Sequence, residues 1–212
     1  MAYKFYGQFD PPVDRFLYER YFTGRRTPGI FVECGAFDGV TECSCKFFEE
    51  SLGWTGINIE PSPPIYARLT RNRPSMVNIN AALASSDGEA HFTGIDHPEF
   101  GELCTNGSLH HLPQHRQAIE EAQWGLTGYT VRTMCWSTLV RQQGLARLDL
   151  LVLDVEGTEL DVIAGMRGCA VLPTVFCVEH GHLGVPAVRA AVEPLGYRYD
   201  TSEAVNSFFV LA

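Results

Sequence analysis

The stretch Ile30-Phe31-Val32-Glu33-Cys34-Gly35-Ala36-Phe37-Asp38-Gly39-Val40, followed by Ile57-Asn58-Ile59-Glu60, decides how this chain folds. A short apolar run stops at an acid, a turn bounded by two glycines carries a second acid, and a later apolar run ends in a third. An open parallel sheet builds a nucleoside pocket at its strand ends in this way. Three carboxylates in such a pocket suit a cationic ligand better than a phosphorylated one, because like charges repel.

The pattern repeats outward from there. Strand-like runs at 30–34, 56–60, 76–80, 148–153 and 175–178 alternate with helix-like segments at 41–52, 63–72, 158–166 and 186–195. Ser62 and the prolines after it mark a helix start. Apolar strands alternating with helices of about ten residues mean a parallel sheet covered on both faces. The last two strands, 197–199 and 207–211, are joined by a short turn. A parallel pair needs a crossover of a dozen or more residues, so the final strand runs antiparallel. The expected fold is α/β and Rossmann-like, of the class I methyltransferase kind. Its sheet is mostly parallel and seven-stranded, its last strand is reversed, and helices cover both faces. Short extra strands are expected at 90–93 and 129–133.

Bulk properties set the frame. The length of 212 residues suits a single domain over 1–212, with an N-terminal helical approach over 1–28. Residues 95–128, rich in His, Gly, Pro and Gln, read as an insertion that covers the substrate, with Phe100 and Trp124 as aromatic tips and a short helix near 114–124. A net charge of -9 argues against nucleic acid as a partner, since phosphate contacts need clustered Lys and Arg. No run of apolar residues is long enough to be a transmembrane segment. Seven irregularly spaced cysteines read as free thiols in a reducing cytoplasm, and the Cys43/Cys45 pair lacks the second pair a zinc site needs. A homo-oligomer is compatible with the sequence.

The loop around Gly35 departs from the G-x-G-x-x-G dinucleotide fingerprint, because the middle glycine is missing and acids stand where phosphates would sit. S-adenosylmethionine, with an ammonium, a sulfonium and no phosphate, is the complementary case. Glu33, Gly35, Ala36, Asp38 and Gly39 are expected around its methionine end. Glu60, with Pro61 beside it, follows the loop at about the ~20-residue offset where an acid meets ribose hydroxyls. Asn80 and Ala81 are expected to border the adenine. Asp154 and Glu156 end the most apolar strand, and Glu179 and His180 end the next one. Ionisable groups converging where substrate meets cofactor mark catalysis. Asp154, Glu156 and His180 are therefore the candidate bases, Asp154 also touching the cofactor, with His110 and His111 as further candidates if the insertion folds over the crevice. Glu159 is expected on a solvated helix face, and His182 is expected to carry no chemistry.

The blocks FVECGAFDGVTECSCKFFEESLGWTGINIEPSP, NINAALASSDGEAHF and LDLLVLDVEGTEL, in this order, resemble the FkbM-type S-adenosylmethionine-dependent methyltransferases over roughly residues 5–180. The resemblance implies that Glu33, Gly35, Asp38 and Gly39 belong to the cofactor loop, that Glu60 is the ribose acid, and that Asp154 and Glu156 belong to the DVEG block. It departs from the family at Cys34, Phe37 and residues 42–44. What it implies is O-methylation of a small hydroxylated acceptor, a sugar or a glycan or natural-product precursor. A variant reading adds a magnesium or manganese ion on Asp154, Glu179 and His180. Two rivals share the fold: a dinucleotide-dependent oxidoreductase and a non-catalytic methyltransferase-like binding module.

Overall fold

The computed structural model describes residues 3–99, 101 and 103–212. Phe100 lies outside the described residues. Among the described residues ten strands follow one another: β1 (Ile30–Cys34), β2 (Thr55–Ile59), β3 (Val77–Ile79), β4 (Ala82–Ala84), β5 (Gly88–Asp96), β6 (Gly125–Cys135), β7 (Leu148–Leu153), β8 (Pro173–Glu179), β9 (Tyr197–Glu203) and β10 (Asn206–Leu211). Seven of them form one sheet in the order β3-β2-β1-β7-β8-β10-β9. Its pairs are parallel except for β10, which runs antiparallel to both β8 and β9.

The helices are α1 (Val13–Leu17), α2 (Lys46–Leu52), α3 (Pro63–Asn72), α4 (Pro113–Glu121), α5 (Trp136–Gln143), α6 (Glu159–Gly165) and α7 (Val185–Val192). They follow from the two-sided burial of the sheet. Along β7 every residue is buried, Leu151 and Leu153 facing one core with Trp136, Val162 and Phe176, and Leu150 and Val152 facing the other with Phe47, Phe48 and Phe208. Alternation along an extended strand makes both faces apolar, and helices must cover both. The one charge in β7, Asp149, accepts the Ile30 N–H and pairs with Arg25 at 2.8 Å, so it is neutralised at the strand's entry and away from the site.

The extra strands expected near 90 and 129 belong to a second sheet, ordered β4-β6-β5. Pairing between β5 and β6 runs from Gly88↔Thr133 to Asp96↔Gly125, well beyond the short runs that the sequence marks. The expected 95–128 insertion is therefore shorter than read: its first and last residues belong to this ladder, and the excursion between the strands covers 97–124 with α4 inside it. All seven cysteines are free thiols. No described helix is long and apolar enough to cross a membrane.

Candidate functional site

A cavity of about 410 Å³ opens at the carboxyl ends of β1, β2, β7 and β8. That volume lies within the ~300–1,000 Å³ of small-molecule sites. The loop after β1 is drawn tight against its neighbours. The N–H groups of Gly35 and Ala36 both donate to the Ile59 carbonyl, and the Asp154 N–H donates to the Cys34 carbonyl. Gly35 has φ +79°, and a Cβ built on it would lie 1.7 Å from the Asp154 carbonyl oxygen. Only glycine lets the β1 and β7 turns approach this closely.

Glu60 ties the second turn to the first. Its carboxylate accepts the Phe37 N–H at 3.1 Å and the Ser62 N–H at 2.8 Å. Burial pushes its pKa up to about 8, against the pull of those two donors. Glu33 accepts from the N–H groups of Ser44 and Cys45 and from the Cys43 thiol, with the buried Arg73 guanidinium 3.9 Å away. Burial raises its pKa and Arg73 opposes that.

Asp154 is exposed, and its accessible surface opens onto the cavity at the end of β7. Desolvation, and then the neighbouring Glu156, Glu159, Glu33 and Glu42, hold its carboxyl well above the usual carboxylate range. The next turn is bent by two residues with positive φ, Glu156 at +57° and Gly157 at +104°. Glu159 holds that bend. Its carboxylate accepts the Val155 N–H at 2.9 Å and the Gly157 N–H at 3.1 Å. It is 1% exposed, so it is a buried clasp and not the solvated helix residue that the sequence suggests. Across the cavity, His182 Nε2 lies 3.3 Å from the Glu156 carboxylate, and that hydrogen bond raises the imidazole pKa. Glu179 shares this wall; burial, then Asp154, Glu156 and Glu159, push its carboxyl up.

The structure thus gathers Glu33, Gly35, Ala36, Glu60, Pro61, Asp154, Glu156 and Glu179 around one cavity. It sets five other expected site residues outside the wall. Asp38 turns back on its own loop and accepts the N–H groups of Val40 and Thr41. Gly39 abuts Leu69 and the Arg73 side chain. Asn80 spends its amide on the carbonyls of Glu60 and Pro61, and Ala81 is core, so Ala82 and Leu83 line the cavity in their place. His180 Nδ1 pairs with Ser207 Oγ on β10, because the chain reverses after β8 and presents His182 to the cavity instead. Of the two candidate bases in the insertion, His110 and His111, the latter pairs with the Asn106 carbonyl, and neither lines the cavity.

For a cation, the oxygens that converge belong to Asp154, Glu159 and Glu179, within 4.8 Å of one another. His180 is not among them, and both Glu159 oxygens already accept backbone N–H groups. A hard divalent ion would have only Asp154 and Glu179 to itself, which fits it poorly.

Two further segments complete the wall, the N-terminal arm, which sequence reasoning did not assign to the site, and the insertion that it expected to cover the substrate. Gln8, Phe9 and Val13 come from the N-terminal arm, and Cys104 to Gly107 and Leu109 from the excursion after β5. The arm is pinned by Asp14, fully buried, which accepts the N–H groups of Tyr6 and Gly7. The sequence shows only an acid in the first turn of a short helix there, and nothing in it marks that acid as buried.

The raised pKa values predict a pH dependence. A carboxyl that titrates near 8 in the folded state and near 4.5 when unfolded holds its proton more tightly in the folded state, so its contribution is full below 4.5 and lost as pH rises through 8. Melting temperatures of the ligand-free protein are therefore expected to fall between pH 6 and pH 9, with Glu60 and Glu179 contributing in the same sense. A Glu60→Gln variant should show a flatter profile. An equally steep one would remove Glu60 as the source.

A family model described as the Methyltransferase FkbM domain matches residues 33–199. The hexuronic acid methyltransferase AglP of Haloferax volcanii is 24% identical over 160 residues, 74% of this chain and 57% of that protein. The chain therefore spans little more than half the length of this curated relative. Among solved structures, the methyltransferase FkbM from Methylobacillus flagellatus KT superposes with a TM-score of 0.52 at 11% identity, covering 93% of this chain and 50% of its own. The ribosomal protein L11 methylase from Lactobacillus delbrueckii subsp. bulgaricus gives 0.50 at 10% identity, covering 94% and 76%. At such identities the two structures speak for the fold.

Proposed function

This chain belongs to the FkbM methyltransferase family, and from that premise we propose that it transfers the methyl group of S-adenosylmethionine to a hydroxyl of a small, sugar-like acceptor. The observation that carries the reading is the acidic cavity at the strand ends, where the Gly35 turn abuts the β7 turn that carries Asp154. The sulfonium and ammonium of the cofactor would meet carboxylates there, and Glu60 retains lone pairs for the ribose hydroxyls beyond the two N–H donors it accepts. The name of the Haloferax relative, a hexuronic acid methyltransferase, supports a sugar as acceptor.

In the proposed reaction the acceptor oxygen attacks the sulfonium methyl in line. A C–O bond forms as the C–S bond breaks, and the electron pair goes to sulfur. Asp154 takes the hydroxyl proton, since a carboxyl held well above its usual range is a competent base near neutral pH. Glu156 and His182 orient the acceptor, while the excursion after β5 and the N-terminal arm exclude water. Alignment of this kind contributes about 7–11 kcal/mol. No step is routed through a metal ion, and full activity after exhaustive chelation is the expected result.

Calorimetry with S-adenosylhomocysteine and NAD side by side tests the cofactor. The first is expected to bind and the second not, while the reverse would favour an oxidoreductase. Glu60→Gln should weaken S-adenosylhomocysteine binding by about tenfold, the equivalent of ~1.4 kcal/mol, with circular dichroism unchanged. Unaltered affinity would remove Glu60 from the ribose. Release of S-adenosylhomocysteine in the presence of a panel of sugars and hydroxylated metabolites tests the activity itself.

A further inference from the structure

Two buried acids, Glu33 and Glu60, line the cavity, and among the described residues only Glu33 has a cation beside it. Helix α3 begins just after Glu60 and rises about 15 Å along its axis. Its C-cap residue, Arg73, is fully buried, reaches Glu33 and is not part of the cavity wall. Arg73 Nη1 donates to the Gly39 carbonyl at 3.1 Å and to Cys43 Sγ at 3.1 Å, and it lies 3.9 Å from a Glu33 carboxylate oxygen. The Cys43 thiol donates to that same oxygen. On its other side the guanidinium pairs through Nε with Glu49 of α2. Gly39 makes room for this arrangement, since a Cβ there would lie 2.6 Å from Arg73 Cγ. Glu60 is as deeply buried, but the groups that act on it are two backbone N–H donors.

We propose that Arg73 is a positioning residue for the cofactor: acting through Glu33, it keeps a full negative charge facing the methionine ammonium. This rests on the methyltransferase reading above and gives a role to a residue outside the cavity. Chemistry separates the two acids. Ribose hydroxyls both donate and accept, so a carboxyl can bond them in either protonation state. An ammonium only donates, and its charge is matched by an ionised partner alone. A carboxyl buried without a counter-charge tends to keep its proton, and a cation within about 4–6 Å opposes that. The chain places its buried guanidinium behind the acid that must meet a cation and gives the ribose acid none. The titratable groups that face Glu33 are Arg73 from α3 with Glu49 of α2 beyond it, Cys43 and Cys45 before α2, Cys177 on β8 and Asp154 after β7. Burial holds the three thiols well above their usual range, so they stay uncharged near neutral pH. Arg73 is the cation of this set.

The test is calorimetry of S-adenosylhomocysteine, whose one cationic group is the ammonium, on the whole chain at pH 6 and pH 8. Without the guanidinium, Glu33 regains its proton as pH falls, and each pH unit below its pKa costs up to about tenfold in binding. Arg73→Met is therefore expected to weaken binding about tenfold more at pH 6 than at pH 8. Each value is taken relative to the unaltered chain at the same pH, which cancels the titration of Glu60 and Asp154. Arg73→Lys keeps the charge, and its ratio should stay constant within about threefold. In a Glu33→Gln background, adding Arg73→Met should cost less than about threefold at either pH. That pair loses both charges together and leaves no unpaired Glu33, so it decides the matter where Arg73→Met alone fails to fold. Equal weakening at the two pH values overturns the proposal. So does a lysine variant as pH-sensitive as the methionine one, or a larger loss in the Glu33→Gln background. Failure of S-adenosylhomocysteine to bind the unaltered chain brings down the methyltransferase reading instead, so the two failures are distinct.

Discussion

Asp154→Asn is expected to lower kcat by about 10²–10⁴, the usual contribution of a positioned general base, while leaving S-adenosylhomocysteine affinity within a few-fold. The substitution preserves volume at the end of β7 and removes only the capacity to take a proton. Asp154 is the residue for this because its carboxyl opens onto the cavity while desolvation, and then crowding by the charges of Glu156, Glu159, Glu33 and Glu42, holds its pKa up. The same crowding gives the sign of the pH profile. Turnover should rise with pH as the carboxyl ionises and then level, and the rising limb should vanish in the asparagine variant. Single-turnover kinetics with a working acceptor, alongside calorimetry, separates the chemical step from binding. Undiminished turnover at normal cofactor affinity would take Asp154 out of the chemistry.

Gly35→Ala is expected to be the most disruptive single methyl in the chain. The new Cβ would lie 1.7 Å from the Asp154 carbonyl oxygen, a backbone atom that cannot swing away, at a residue with φ +79°. Strain in the left-handed region costs about 1–2 kcal/mol, and forced separation of the β1 and β7 turns adds overpacking of ~1–3 kcal/mol or more. Gly53→Ala provides the control. That glycine ends α2 at φ +65°, and a Cβ added there would meet nothing within 4 Å, so only the conformational part, about 1–2 kcal/mol, is expected. Urea titrations of the two variants should differ by at least ~1 kcal/mol, with Gly35→Ala the weaker. Equal losses would mean that the turns separate at no cost, and that the Gly35 contact is not what sets their spacing.

The sheet was legible because its signals are local. A parallel strand buried on both faces must be apolar throughout, and β1, β2, β7 and β8 announce themselves in that way. The reversed last strand followed from the length of one connection. The acids at strand ends were legible for the same reason, since the end of an apolar run is a position on the sheet. Glu33, Glu60, Asp154 and Glu179 accordingly all reach the cavity. Asp38 and His180 did not follow this logic. Each lies in a turn, and a turn residue's direction depends on which hydrogen bond captures it: two N–H groups of its own loop for Asp38, the Ser207 hydroxyl of a distant strand for His180.

By itself, the sequence determined which segments form the seven main strands, the reversal of the last of them and the edge of the sheet at which a ligand would sit, because periodicity and connection length are properties of neighbouring residues. Only the tertiary structure decided the composition of the cavity. It brought in the N-terminal arm through the buried Asp14, exchanged His180 for His182, and turned Glu159 from a surface acid into the clasp of the Asp154 turn. Each of these outcomes depends on a buried side chain finding its partner, whether a few residues away or across the fold, and the pattern of apolar and polar letters carries no record of such a pairing.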